Sequence, residues 1–244
     1  MTSNLFFIDK NLTSGRSITL AGPEHHHLSH VVRLKPGELV WLFDRTGARY
    51  RARIEEIGKD MTKLSLLEDA GQIEFRSRII LGQALLKAKA MDLVVQKSTE
   101  LGLFMLAPIV TARSVVKVTD RSERKVERWT KITREASKQS KSGLVPRIHP
   151  PQPLNAFFKS HDAAQKIVLK EKGGQPLRDI VLKTLGASPS DVALLVGPEG
   201  GWTPEEEKLI AARGYESASL GRIVLRAETA AICALSIVSH FWNL

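Results

Sequence analysis

Apolar residues recur in short runs over residues 17–21, 38–44, 48–57 and 61–68, each bounded by turn or polar residues, and these stretches read as β-strands. Asp44-Arg-Thr-Gly47 turns the second stretch into the third, and Gly58-Lys-Asp60 separates the third from the fourth. Between the first two, residues 24–34 read as a short helix stopped by Lys35-Pro36-Gly37. A small β-rich unit over residues 1–70 is the expectation. The polar stretch 68–74, with Gly71 inside it, reads as a linker.

Beyond residue 78 apolar runs alternate with helical periods, which predicts an α/β domain over residues 75–244. The order is strand 79–84, helix 88–101 closed by Gly102, then strand 103–110. Asp120 with Glu123 starts a helix reaching about Gln139, on which Val126, Trp129, Ile132, Thr133 and Ala136 share one arc. Arg121, Arg124, Lys125, Arg128, Lys131, Arg134 and Lys138 fill most of the remainder, a cationic ridge. Strands are expected at 166–170, 192–196 and 218–225. Between the last two lies a fully signalled helix: Thr203 as N-cap, Pro204 first, Glu206 completing a capping box, Gly214 at the stop. Residues 228–242 form an almost wholly apolar helix, suited to burial in the domain or at a subunit interface.

Charge sharpens this picture. The 244 residues carry 36 Lys and Arg against 26 Asp and Glu, a formal net charge of +10, which points to a polyanionic partner. The excess is local: residues 71–150 hold 16 basic and 7 acidic groups, while the flanking parts are near balance. One cysteine, Cys233 in the apolar last helix, excludes an internal disulfide and suits a reducing compartment. The run 5–8 is too short for a signal-peptide core and 229–242 too short to span a bilayer, so a soluble, cytoplasmic protein without membrane attachment is expected.

Two segments carry candidate chemistry. LLVGPEGG, residues 194–201, runs from an apolar strand through a Gly-rich turn into the capped helix, a geometry in which backbone approaches a ligand closely. It has neither Walker nor dinucleotide-fingerprint spacing, and its bland alternative is a tight turn between packed elements. LGRIVLRAETA, residues 220–230, again passes from strand to helix and sets Gly221, Arg222, Arg226 and Glu228 around the transition. Two strand-ending loops of one α/β sheet can share a crevice.

With KSTELG at 97–102 and HHHLSHVVRLKPGE at 25–38, these segments resemble the RsmE-type ribosomal RNA uridine-N3 methyltransferases of the SPOUT superfamily. The four motifs stand in order across nearly the whole chain. The resemblance implies a PUA-like β-barrel that binds RNA, followed by a SPOUT α/β domain tied in a trefoil knot. It also implies S-adenosylmethionine as cofactor, methylation of N3 of a uridine in small-subunit (16S) ribosomal RNA, free or in the assembled 30S subunit, and a homodimer paired through the C-terminal domain. The cofactor positions it implies are Val196, Gly197, Gly200, Gly201, Leu220, Gly221, Ile223 and Leu225, with Leu169 beside them. Arg226 would stabilise charge on the uracil, and Glu228 would orient it or relay the proton. Arg33, Arg113, Arg134, Glu135, Gln139 and Ser140 are the implied RNA contacts.

Departures from the family pattern are Lys141-Ser142, where Gly-Arg often follows Gln-Ser, and Asn4, where an arginine precedes the Phe-Phe pair. A metal is not expected: His26 and His30 stand four apart, but no third convergent ligand is evident around the cluster 25–27 and 30. Competing readings are a non-catalytic rRNA-binding or assembly factor on the same fold, an enzyme cradling a nucleotide phosphate, and a Rossmann-type methyltransferase. The last expects its Gly-rich loop after the first strand of the domain.

Overall fold

The computed structural model describes residues 4–9, 17–44, 46–72, 76–114, 122–184 and 189–243. The chain divides into two compact units, one of residues 1–74 with 137–145, the other of 75–136 with 146–244. The stretch 137–145, which the sequence pattern assigns to the α/β part, thus groups with the first unit.

In the first unit, strands β1 (Leu5–Ile8), β2 (Ser17–Ala21), β3 (Leu39–Asp44), β4 (Ala48–Ile57) and β5 (Met61–Gln72) form one sheet in the order β1-β3-β4-β5-β2. β1 runs parallel to β3 and the other pairings are antiparallel. Inward positions alternate along these strands, so Val40, Leu42, Ala52, Ile54, Leu64 and Leu66 make a core with Phe6, Leu20 and Leu28. One strand was not expected and two expectations change here. β1 is buried on both faces and so shows no alternation. The supposed linker is largely strand, because β5 keeps pairing with β4 through Asp69 and Gln72 and so satisfies its backbone groups. The helix after β2 is a short α1 (Gly22–His26) followed by a π-helical turn, His27–Val32, that ends at Arg33 in the left-handed region.

The second unit is built on a parallel sheet of β6 (Arg78–Ala84), β7 (Met105–Val110), β8 (Arg147–Ile148), β9 (Gln152–Pro153), β10 (Gln165–Leu169), β11 (Gln175–Pro176), β12 (Asp191–Val196) and β13 (Glu216–Ser219). Its order is β11-β13-β10-β12-β6-β7-β8, with β9 also on β7. Helices α2 (Ala88–Glu100), α3 (Ser122–Gln139), α5 (Leu177–Leu182) and α7 (Ala227–Asn243) contribute to a core on one face, and α4 (Leu154–Ser160) and α6 (Pro204–Ala212) to a core on the other. Covered faces explain why its strands read as continuous apolar runs. The last helix buries Ala231, Ala234, Leu235, Val238 and Trp242 within its own unit. Asp120 and Arg121, read as part of α3, lie outside the described residues.

One strand is shorter than its sequence suggests. β13 stops at Ser219, and residues 220–226 form a loop in which Ile223 and Val224 are 80% and 59% exposed. Gly221, at φ 129°, takes a conformation that breaks the extended run.

Candidate functional site

The carboxyl ends of β10 and β12, the turn 197–201, the loop 220–226 and the first turn of α7 enclose a cavity of about 560 Å³ in the second unit. This is where parallel α/β sheets hold ligands, and the volume suits a small molecule. Val196 closes β12 and points the chain into Gly197-Pro198-Glu199-Gly200-Gly201. That turn is closed by the Gly201 amide donating to the Pro198 carbonyl at 2.9 Å. The capping box follows as expected: Thr203 Oγ1 accepts from the Glu206 amide at 3.2 Å, and Glu206 Oε2 accepts from the Thr203 amide at 2.9 Å.

The glycines serve different purposes. A Cβ at Gly197 would stand 3.1 Å from the Trp202 ring, so glycine here lets the strand end lie against the indole. Gly201, at φ 67°, and Gly221 meet nothing within 4 Å of a notional Cβ, so their bare backbone faces open space on the lining. Gly200 is overlain by the stem of Arg113, whose Nη1 donates to the Gly200 carbonyl at 2.8 Å and the Trp202 carbonyl at 3.3 Å. A second tie runs from the Ala112 amide to Glu206 Oε1 at 2.8 Å. The stretch after β7 thus clamps the turn after β12. Buried Trp202 leaves its Nε1 without a hydrogen-bond partner among the described residues.

Leu169, Val196, Gly197, Gly200, Gly201, Leu220, Gly221, Ile223 and Leu225 all line this cavity, as does Arg226. Glu228 does not: it sits in the first turn of α7, where a carboxylate complements the helix dipole, and makes no ion pair with Arg226 among the described residues. Of the residues read as RNA contacts, Arg113 lines the cavity and is committed to the clamp. Arg134 and Glu135 lie on α3 in the second unit. Gln139, Ser140 and Arg33 belong to the first unit, where Arg33 Nε donates to the His30 carbonyl at 3.3 Å and Ser140 Oγ lies 3.0 Å from Ser142 Oγ. The structure therefore does not gather the six within one unit.

Sequence reasoning missed Trp202, Lys170, Glu171, Lys172, Glu199, Glu207 and Ala230 on the lining. Lys170 and Glu207 pair at 3.1 Å. Pro198-Glu199 and Trp202 flank the glycines in sequence, a signal that could have found them. Lys170 to Lys172 follow a strand that shows no motif. Away from the cavity, buried His25 places Nδ1 2.8 Å from Thr62 Oγ1 and Nε2 3.2 Å from the Lys59 carbonyl, while the His26 and His30 rings stack at 4.7 Å.

Comparison with known proteins adds an independent line. The RNA methyltransferase domain family matches residues 74–239, and the RNA methyltransferase PUA domain family matches residues 20–61. Ribosomal RNA small subunit methyltransferase E of Rickettsia conorii is 30% identical, covering 98% of this chain and 96% of its own. The Bacillus subtilis protein of the same name is 28% identical, over 96% and 95%. Among solved structures, ribosomal RNA small subunit methyltransferase E from Neisseria gonorrhoeae, bound to S-adenosylmethionine, superposes with a TM-score of 0.87 at 28% identity, covering 99% of this chain and 98% of that one. A methyltransferase from Legionella pneumophila, in complex with the cofactor SAM, gives a TM-score of 0.87 at 30% identity over 98% of both chains.

Proposed function

The chain belongs to the RNA methyltransferase family of ribosomal RNA small subunit methyltransferase E, and from that membership we propose that it transfers a methyl group from S-adenosylmethionine to N3 of a uridine in small-subunit ribosomal RNA. The observation that carries this is the single cavity of about 560 Å³ onto which both glycine-rich turns open, with Arg226 on its wall.

The residues present fit the cofactor. Leu169, Val196, Leu220, Ile223 and Leu225 offer apolar surface to an adenine ring, and the bare backbone of Gly201 and Gly221 leaves main-chain groups accessible to its polar edges. Glu199 puts a carboxylate on a lining that would receive a cationic sulfonium, while Glu207 is paired with Lys170. Bound there, S-adenosylmethionine supplies an activated methyl group. The chain contributes alignment and electrostatics. The turns at 197–201 and 220–225 would hold the donor, and such alignment converts an encounter into an oriented displacement. Uracil N3 becomes a good nucleophile once its proton passes to solvent and charge spreads onto the flanking carbonyl oxygens, and the Arg226 guanidinium would lower the cost of that charge. Glu228, off the lining, acts on the helix terminus.

Further parts of the reading concern assembly. The second unit carries the trefoil knot of SPOUT enzymes. The strand order β13-β10-β12-β6, in which chain-successive strands are seldom neighbours, supports it. The active form is a homodimer through this unit, whose exposed Val224 offers apolar surface for a second copy. Cytoplasmic small-subunit ribosomal RNA, free or in the assembled 30S subunit, is the substrate. Among the described residues no helix is long and apolar enough to cross a membrane.

Calorimetric titration with S-adenosylmethionine tests the cavity assignment. Wild type and Gly221→Ala are expected to bind, the alanine variant reporting what the positive φ alone costs, and Gly221→Arg, with the urea midpoint of the alanine variant, to lose binding. Equal affinity for Gly221→Arg would remove the cofactor from this cavity.

A further inference from the structure

The first unit presents a second feature that none of the candidate site residues explains. On β4 the residues facing away from the core are Arg49, Arg51 and Arg53, alternating with buried Tyr50, Ala52 and Ile54. Cross-strand register sets Trp41 opposite Arg51 and Leu39 opposite Arg53. The Arg49 guanidinium lies 5.1 Å from the centre of the half-buried Trp41 ring.

Three arginines in one column repel one another, and surface columns of this kind are usually neutralised by acidic neighbours. Here they are not. Glu68 faces Arg51 in register, yet Arg51 and Arg53 make no ion pair with it or with any other described residue, and the nearby Glu55 accepts from Ser65 Oγ instead. The Arg49 Nε likewise has no hydrogen-bond partner among the described residues. At the Arg49 end the column runs under Gly143, whose notional Cβ would stand 3.4 Å from the arginine stem. Gly143 belongs to the stretch 137–145 that also carries Gln139, Ser140 and exposed Lys141. The column is thus continuous with residues already read as lining an RNA path.

Resting on the rRNA methyltransferase reading, we propose that the outward face of β4 is a track for a single-stranded segment of the RNA substrate, with the exposed Arg51 and Arg53 taking successive phosphates beside the accessible edge of Trp41, whose remainder packs against Leu5, Phe7, Phe43 and Val145. Alternate residues of a strand stand about 7 Å apart, which allows one guanidinium per phosphate of an extended chain. Unpaired guanidinium groups beside an aromatic ring are the combination that binds single strands with little sequence preference.

The test is fluorescence anisotropy of the full-length protein with a fluorescein-labelled single-stranded oligouridylate across a salt series. Each phosphate contact on a single strand contributes about 0.7 to the slope of log affinity against log salt, so Arg51→Ala with Arg53→Ala is expected to lower the slope by about 1.4 and to weaken binding roughly tenfold at low salt. The double lysine variant, which keeps the charges, should hold the wild-type slope. Calorimetric affinity for S-adenosylmethionine and the urea midpoint should not move. A double alanine variant with the wild-type slope overturns the proposal and leaves the face to a protein partner. A loss of binding that comes with a lowered midpoint and is not restored by lysine overturns it too. Absent methyl transfer alongside the expected slope change counts against the methyltransferase reading alone.

Discussion

Buried His161 on the second unit shows how one residue ties burial to pH. Its ring stacks on Phe157 at 4.8 Å, and its Nδ1 lies 2.8 Å from Ser160 Oγ and 3.1 Å from the Phe157 carbonyl. Burial holds its pKa below the ordinary 6.5; the Phe157 carbonyl opposes this and neighbouring His149 adds to it. The folded protein therefore keeps the imidazole neutral to a lower pH than the unfolded chain does. On acidification the unfolded state takes up the proton first, so the stability contribution is full above about 6.5 and is lost as the pH falls through the folded value. Thermal midpoints measured from pH 7.5 downward should fall more steeply in wild type than in His161→Gln below pH 6.5, and parallel curves would refute the assignment. At this scale the sequence revealed what each residue type can do but not its partners. The glycines of the two turns were legible as strand-to-helix transitions, and their place in a cofactor site only through the family resemblance. The Arg113 clamp was not, because its acceptor lies 87 residues away and no local pattern marks it.

Elements were legible where a local rule fixes them. The helix α6 follows from Thr203, Pro204 and Glu206, and each takes the expected place. Short elements escaped: β1 because both faces are buried, and α4 and α5 because six or seven residues hold less than two turns of periodicity. The loop 220–226 escaped for the opposite reason, since its Ile-Val-Leu run satisfies strand propensity while tertiary context places it on the cavity rim. The cap of α6 doubles as a tie to the stretch after β7, which makes a separable expectation. Thr203→Ala should cost about 1 kcal/mol in urea denaturation, the ordinary loss of an N-cap. Glu206→Ala removes the reciprocal cap bond and the Ala112 tie together. It should cost more and also weaken binding of S-adenosylmethionine severalfold by loosening the clamp on Gly200. Unchanged cofactor affinity in Glu206→Ala would show that the tie does not shape the turn.

For the molecule as a whole, the division into a β-rich unit and an α/β unit was visible in the change from short strand-like runs to runs alternating with helices, although the return of 137–145 to the first unit was not. Nothing in helix periodicity reports which unit a helix end joins. The concentration of positive charge in residues 71–150 suggested nucleic acid, yet it hid the unpaired arginines of β4 inside a stretch of near-zero net charge, because a sum along the chain does not see one face of a sheet. The central claim joins cofactor, cavity and base in one reaction. Its most direct measurement is nucleoside mass spectrometry of small-subunit rRNA from a strain lacking this methylation, incubated as free rRNA and as 30S subunits with the purified protein and isotopically labelled S-adenosylmethionine. The expected result is labelled 3-methyluridine, about one per rRNA molecule, on at least one of the two substrates, and reduced at least a hundredfold in Arg226→Ala, the scale of losing one charge-stabilising donor, with cofactor affinity retained. Label on another atom or base, or none on either substrate, would contradict it.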